Sequence, residues 1–542
     1  MKTIKYKFLA IALLLGTTAI TTSCTDDLDA LPIDANTVVA ETAFGKELGA
    51  YKSSLAKIYA GYTISGNKAG DDESDVAGVD GGSQASFLRA LWNMQELPTD
   101  EAHCCWTDVG IDKFNYMTWN SGNVFIKGMY YRLYYQINMA NEFLRETTDE
   151  KLSSRGVESD VKAEIKIYRA DARFLRALAY YYLLDMFRSV PFVTEDNKIG
   201  KEAPTQIAVK DLFTYVETEL LSCQEDLLVP FVGYDSRNYG RVTQAAAWSL
   251  LSRLYLNAEV YTGTPKYTEC ITYSNKVIGI GYQLEPTYAD MFKADNGSSK
   301  EMIFPIRYEG ADTQTWGGMT FLICSTVPSA LQTDINAQGA WQGNRARPAL
   351  LATFKKQSAY VDDNRVNMLK SDLTENQSII DPTSYKNGIP VVKYSNVNKD
   401  GSLPASNIVY TDFPLFRLGE IYLNYAEAVL RGGTGGSSTT ALTYVNDLRK
   451  RAFKSAPNKG VIASGDLTIN FLLDERGREL FFEAQRRTDL VRYGLLTTNT
   501  YLWEWKGGSF GGNAVADRFN FYPIPADDMG SNPNLTQSDP AY

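Results

Sequence analysis

Histidine occurs once in the 542 residues, and that scarcity excludes whole classes of chemistry. A HExxH zinc centre or a three-histidine zinc cage needs more than one imidazole. Serine–histidine or cysteine–histidine catalysis would have to run through His103 alone. Cysteine is also sparse, six in all: Cys24 near the N-terminus, then Cys104, Cys105, Cys223, Cys270 and Cys324. The later ones are odd in number and none is spaced as CxxC, so neither a disulfide framework nor a zinc ribbon is indicated. His103-Cys104-Cys105 sets possible ligands side by side, but successive side chains point apart and do not converge on one ion unaided. No metal and no cofactor is expected. Positive charge is in deficit too, with 54 Lys+Arg against 64 Asp+Glu and a net charge of -10, which disfavours phosphate-backbone binding. What remains is the balance of a globular protein, 44% hydrophobic and 22% charged.

The first residues read as an address. Lys2, Lys5 and Lys7 precede an apolar run from Phe8 to Ile20, then Thr21-Thr22-Ser23 and Cys24. This is the pattern of a secretory signal, 1–23, cleaved before a cysteine that takes lipid; plain secretion is the alternative. Beyond it no segment reaches the ~18 apolar residues that span a bilayer. Residues 24–40 hold Asp26, Asp27, Asp29 and Pro32 without helical period, and read as an extended tether. Residues 41–542 are expected to form a single domain, since no Pro/Ser-rich linker divides them.

Within that span, apolar positions recur three and four apart from Ile165 to Met186, predicting a helix that stops before Val190-Pro191. Further helices are predicted over 243–261, 267–278, 418–430, 441–452 and 469–493, with a stop at Thr262-Gly263-Thr264-Pro265 after the first of these and at Gly432-Gly433 after Arg431. Trp248 is expected in the core. Small-large pairs such as Ala247-Trp248 and Tyr425-Ala426 suit closely packed helix pairs of tetratricopeptide type, although no clean 34-residue period is present. Residues 62–125 and 295–412 carry no period and are rich in polar residues and glycine. The expected fold is therefore all-α dominated, a tetratricopeptide-like scaffold with long irregular loops as the working surface.

Specific blocks then emerge in order: Arg173-Phe174-Leu175-Arg176-Ala177-Leu178, Phe413-Pro414-Leu415-Phe416-Arg417-Leu418-Gly419-Glu420, Asn446-Asp447-Leu448-Arg449, Glu475-Arg476 through Asp489-Leu490-Val491-Arg492, and Tyr522-Pro523-Ile524-Pro525. Together with the lipoprotein signal they resemble the SusD/RagB family over essentially the whole mature chain. The resemblance implies a helical glycan-binding lipoprotein on the outer face of the outer membrane, a lid on a TonB-dependent SusC-like transporter. It is strongest toward the family's starch-binding founder, through Gln95-Glu96-Leu97-Pro98-Thr99-Asp100-Glu101 and Tyr501-Leu502-Trp503-Glu504-Trp505. By that likeness the glycan-binding residues are Arg89, Trp106, Trp316 and Trp341, and Cys24 is the lipid attachment point. Cys104 stands where the founder has a further tryptophan, and Val109 where it has an asparagine.

The chemistry is consistent on its own terms: the C–H face of a pyranose packs on a flat ring, and a guanidinium fork supplies donors to the hydroxyls. An α-1,4-glucan is the expected ligand. The rivals are a lid with little affinity of its own, for another glycan or a peptide, and a glycoside hydrolase. A hydrolase needs two opposed carboxylates, for which Asp71-Asp72-Glu73 with Asp75, or Glu479 with Glu483, are the candidates. The second pair is expected to be a structural network neutralised by Arg476, Arg478, Arg486 and Arg487.

Overall fold

A computed structural model describes residues 44–67, 74–197, 200, 202–405 and 408–542. The signal segment, the tether, Cys24 and Asp71-Asp72-Glu73 lie outside the described residues. The main helices are α1 (Leu48–Thr63), α2 (Phe87–Glu96), α3 (Val124–Glu146), α4 (Ser159–Phe187), α5 (Val209–Cys223), α6 (Gln244–Leu256), α7 (Tyr267–Ile278), α8 (Leu418–Leu430), α9 (Ser438–Ala452), α10 (Ile469–Leu480) and α11 (Arg486–Arg492). Chain neighbours pack on each other: α3 on α4, α4 on α5, α6 on α7, α7 on α8 and α8 on α9. This is the stacked-hairpin scaffold expected from the pairing of small and large residues. Among the described residues no helix is long and apolar enough to cross a membrane.

The strands are short and paired antiparallel: β1 (Ala102–Cys104) with β5 (Asn344–Ala346), β2 (Val190–Pro191) with β3 (Gln206–Ile207), and β4 (Met302–Ile306) with β6 (Phe413–Arg417). The two longer strands deliver Arg417 to the start of α8 from a fully buried ribbon.

Charged residues within the recognisable blocks hold the helices to one another. Arg173 and Arg176 of α4 both grip Glu219 of α5, at 2.7 and 2.8 Å. Arg253 of α6 makes a two-pronged pair with Glu420 of α8, at 2.7 and 2.6 Å. Arg492 of α11 does the same with Glu427, at 2.7 and 2.8 Å. Such buried forks fix which helix meets which, because a charge left without its partner inside the protein is severely penalised.

Three expectations need correction. The stretch 469–493 is two helices, not one: Phe482 and Ala484 adopt left-handed backbone, with φ of 62° and 59°, and break it after Leu480. Glu479 and Glu483 therefore do not share one helix, and their neutralising partners differ from those expected. Arg417 bridges the two carboxylates at 2.7 Å each, Arg365 reaches Glu479 at 3.0 Å and Lys393 reaches Glu483 at 2.6 Å. Arg451 completes the set on Glu479. Arg476, Arg478, Arg486 and Arg487 serve instead Asp489, Glu475, Asp100 and Asp185. Second, the helix predicted over 243–261 breaks at Asn257. Third, Trp248 is half-buried at the core's edge, its indole N–H donating to Gln224 at 2.9 Å.

Candidate functional site: an aromatic arc on the loops

The irregular stretch 62–125 contains α2, all ten of whose residues are buried. Phe87, Leu88, Leu91 and Trp92 form its apolar face, and Arg89, Asn93 and Glu96 the polar one, which is buried in its turn against other polar groups. Its one cation, Arg89, donates to the Gly82 carbonyl at 3.4 Å. The guanidinium carbon lies 4.6 Å from the centre of the Phe321 ring and 5.4 Å from that of Trp106, which pins the side chain by cation–π contact.

Trp106 is positioned by backbone pairing. The β1–β5 register sets Cys104 opposite Asn344, and one step further the Cys105 N–H donates to the Gly343 carbonyl at 2.8 Å. The indole lies directly on the Cα of Gly343, where a Cβ would fall 2.0 Å from its ring. Trp341, two residues earlier, is fixed by its own N–H on the Cys324 carbonyl at 2.7 Å. Trp316 leads Gly317 and Gly318 against the start of α2; a Cβ on Gly317 would meet Ser86 at 2.3 Å. The three rings run in the order 106, 341, 316, with centroids 6.4 and 6.2 Å apart and planes inclined by 51° and 50°. They form a faceted surface rather than a stack. Trp316 is 38% exposed, and Trp106 and Trp341 are half-buried. Thus Arg89, Trp106, Trp316 and Trp341, drawn from segments as far apart as 89 and 341, meet at one place.

The two departures fare differently. Cys104 is only 2% exposed, inside β1, with its N–H held by Asn115 at 3.1 Å, so it offers nothing to a ligand. Its thiol is pushed well above the ordinary range by burial. Val109 is 88% exposed beside the arc's segment but carries no hydrogen-bonding group.

One residue was missed by the sequence reading. Tyr385 is 48% exposed, and its hydroxyl lies near the Trp106 side chain. Its loop is tied down on three sides. The His103 imidazole bonds the Pro382 carbonyl at 2.7 Å, the Ile379 N–H donates to Glu504 at 2.8 Å, and the Trp505 indole donates to the Ile379 carbonyl at 2.6 Å. The single histidine is thus a structural strut, its pKa depressed to about 3 by burial and by Arg347 nearby. Among the described residues no group of three or more His, Cys, Asp or Glu is arranged to hold a metal. Trp505 supports this loop from behind, whereas Trp503 is buried under Lys506 at 4.5 Å.

Comparison with known proteins agrees with this architecture. Residues 264–542 match the family model described as SusD family, and residues 91–256 match one described as starch-binding associating with outer membrane. The chain is 34% identical to the starch-binding protein SusD of Bacteroides thetaiotaomicron, over 96% of each chain. It is 24% identical to SusD-like protein P25 of Formosa agariphila, over 75% of this chain and 77% of that one. A crystal structure of a SusD superfamily protein from Bacteroides thetaiotaomicron superposes with a TM-score of 0.69 at 19% identity, covering 91% of this chain and 99% of its own. A laminarin-binding SusD-like protein superposes with a TM-score of 0.68 at 20% identity, covering 92% and 100%. With a helical scaffold that carries its loops on one framework, and with identity of this extent to a named member, the chain belongs to the SusD family.

Proposed function

We propose that the chain is a non-catalytic, lipid-anchored glycan-binding protein of the outer-membrane surface, which takes up an α-1,4-glucan and passes it to a TonB-dependent SusC-like transporter. The observation that carries this is the convergence of Trp106, Trp341 and Trp316 on one partly exposed surface, with the buried Arg89 seated behind Trp106. Flat rings inclined to one another accept the C–H faces of successive sugars along a curved chain, and Arg89 holds Trp106 in place by cation–π contact. Tyr385 extends the surface beyond Trp106 with a further ring and a hydroxyl. Starch-type ligands are favoured by identity to a starch-binding member. A structural neighbour that binds laminarin makes linkage the variable to test. Hydrolysis is disfavoured because Glu479 and Glu483 are closed off from solvent and locked on Arg417. Anchoring through Cys24 beside a transporter raises the effective concentration of a weak site without any new contact.

The test is titration calorimetry of residues 24–542, carrying Cys24→Ser, against maltoheptaose, laminarihexaose, cellohexaose and an α-mannan. Binding of maltoheptaose alone supports the α-glucan assignment. Binding of laminarihexaose instead reassigns the linkage, and silence with all four moves the chain to a lid role with little affinity of its own.

A further inference from the structure

A second cavity, of ≈ 760 Å³, opens between α1, α4, the 236–241 loop and the β4 segment, and no residue of the aromatic arc lines it. That volume lies within the range of small-molecule sites. Its deep wall is made by Leu55, Leu175, Leu178, Phe304, Ile306 and Leu415, all buried. Four tyrosines also line it, Tyr59, Tyr62, Tyr168 and Tyr239, and all but Tyr168 spend their hydroxyls in hydrogen bonds to the protein. Tyr59 donates to Asp171 and accepts the Val242 N–H, both at 2.9 Å. Tyr62 donates to the Leu175 carbonyl at 2.7 Å and Tyr239 to Asp412 at 2.6 Å. A sugar entering here would lose water from its hydroxyls and find these partners already taken, so the interior suits an apolar body rather than a second glycan.

Charge selects the other end of the ligand. Lys52, Arg237, Arg241 and Arg307 line the cavity against a single acid, Glu164. Arg241 is engaged by Asp171 at 2.9 Å and Arg307 by Glu309 at 3.1 Å. Among the described residues Lys52 and Arg237, both exposed, form no salt bridge. We infer that this cavity binds an amphipathic carboxylate, its hydrocarbon chain against the leucine wall and its head group at the Lys52–Arg237–Arg307 rim. Such a site would let a surface glycan receptor also carry a small acyl-type ligand, independently of the arc.

Residues 24–542 with Cys24→Ser are titrated with dodecanoate, dodecyltrimethylammonium and acetate below their aggregation thresholds, with maltoheptaose as a control for the arc. Saturable binding of dodecanoate is expected, with the cation of equal chain length about tenfold weaker and acetate silent. Leu178→Trp fills the wall and is expected to weaken dodecanoate about tenfold. Arg237→Glu combined with Arg307→Glu, the first exposed and the second half-buried, is expected to reverse the preference between the two head groups. All variants should leave maltoheptaose behaviour as in the unmodified chain, whatever that behaviour is. No saturable dodecanoate binding, equal affinity for the two head groups, or a head-group preference unmoved by the double charge reversal would overturn the inference.

Discussion

Gly343→Ala is the most local test of how the arc is built. The backbone at 343 is not among the positive-φ positions, so alanine introduces no conformational strain there, only a methyl group. That methyl carbon would lie 2.0 Å from Trp106 Cε2 and 2.1 Å from Nε1. Carbon atoms rest at about 3.5–4.0 Å, so the indole must retreat by roughly 1.5 Å or more. Gly343 is held in place by the Cys105 N–H at 2.8 Å and the neighbouring Asn344 by β5 pairing, so the ring moves before the strand does. Retreat breaks the 6.4 Å relation to Trp341 and the 5.4 Å seat over Arg89 together. Overpacking costs about 1–3 kcal/mol of folding stability. Affinity for maltoheptaose should fall by about tenfold, equivalent to about 1.4 kcal/mol. The assay is calorimetry with thermal melting alongside, run as a cycle with Trp106→Ala. Once the indole is gone the methyl has nothing to strike, so Gly343→Ala should cost no further affinity in the Trp106→Ala background. Unchanged affinity in the single variant, or additive losses in the double, would refute this account of the arc.

Other outcomes follow from the same geometry. Arg417→Met leaves Glu301, Glu479 and Glu483 without their common cation in a closed interior, and should destabilise the fold by about 3–5 kcal/mol in chemical denaturation. Glu96 and Glu101 sit together in the interior, each accepting one backbone N–H of the 482–485 turn, at 3.2 and 3.1 Å. Burial raises both, Glu96 to about 7, well above the ~4.3 of an unfolded glutamate. A raised carboxyl stabilises fully below the unfolded value, and that contribution is lost as pH rises through 7. Melting temperature should therefore decline between pH 5 and pH 8, and Glu96→Gln should flatten the decline; an unaltered slope in the variant would contradict it. Tyr385→Ala should weaken maltoheptaose more than maltotriose, because it shortens the surface at one end, whereas equal losses would remove Tyr385 from the site.

How far the chain can be read without its structure differs by element. α7 matches its predicted bounds, and so does α8, because glycine and proline stops are local signals that act on the nearest turn. α2 went unread although Phe87, Leu88, Leu91 and Trp92 recur at helical spacing, because it spans only ten residues inside a glycine- and aspartate-rich stretch. The break at 481–485 is invisible for another reason. Its left-handed residues are non-glycine and are held by Glu96 and Glu101 from a segment nearly four hundred positions away. The same holds for the ion pairs: i,i+4 spacing suggested arginines on the same stretch, whereas Arg417 and Lys393 arrive from β6 and from a loop. Arg89 and the three tryptophans were accessible only through likeness to a family, since nothing local marks Trp341 as a neighbour of Trp106. Tyr385 carried no such likeness and became visible only where His103, Glu504 and Trp505 fasten its loop beside Trp106.

The central claim is that the arc binds glycan, and Trp341 is its middle ring, in contact with both others. Calorimetric titration of maltoheptaose into the unmodified chain and into Trp341→Ala, side by side, tests it most directly. Saturable binding that is lost in the variant, with melting of the two proteins alike, is the predicted result. Equal affinity in both would contradict it.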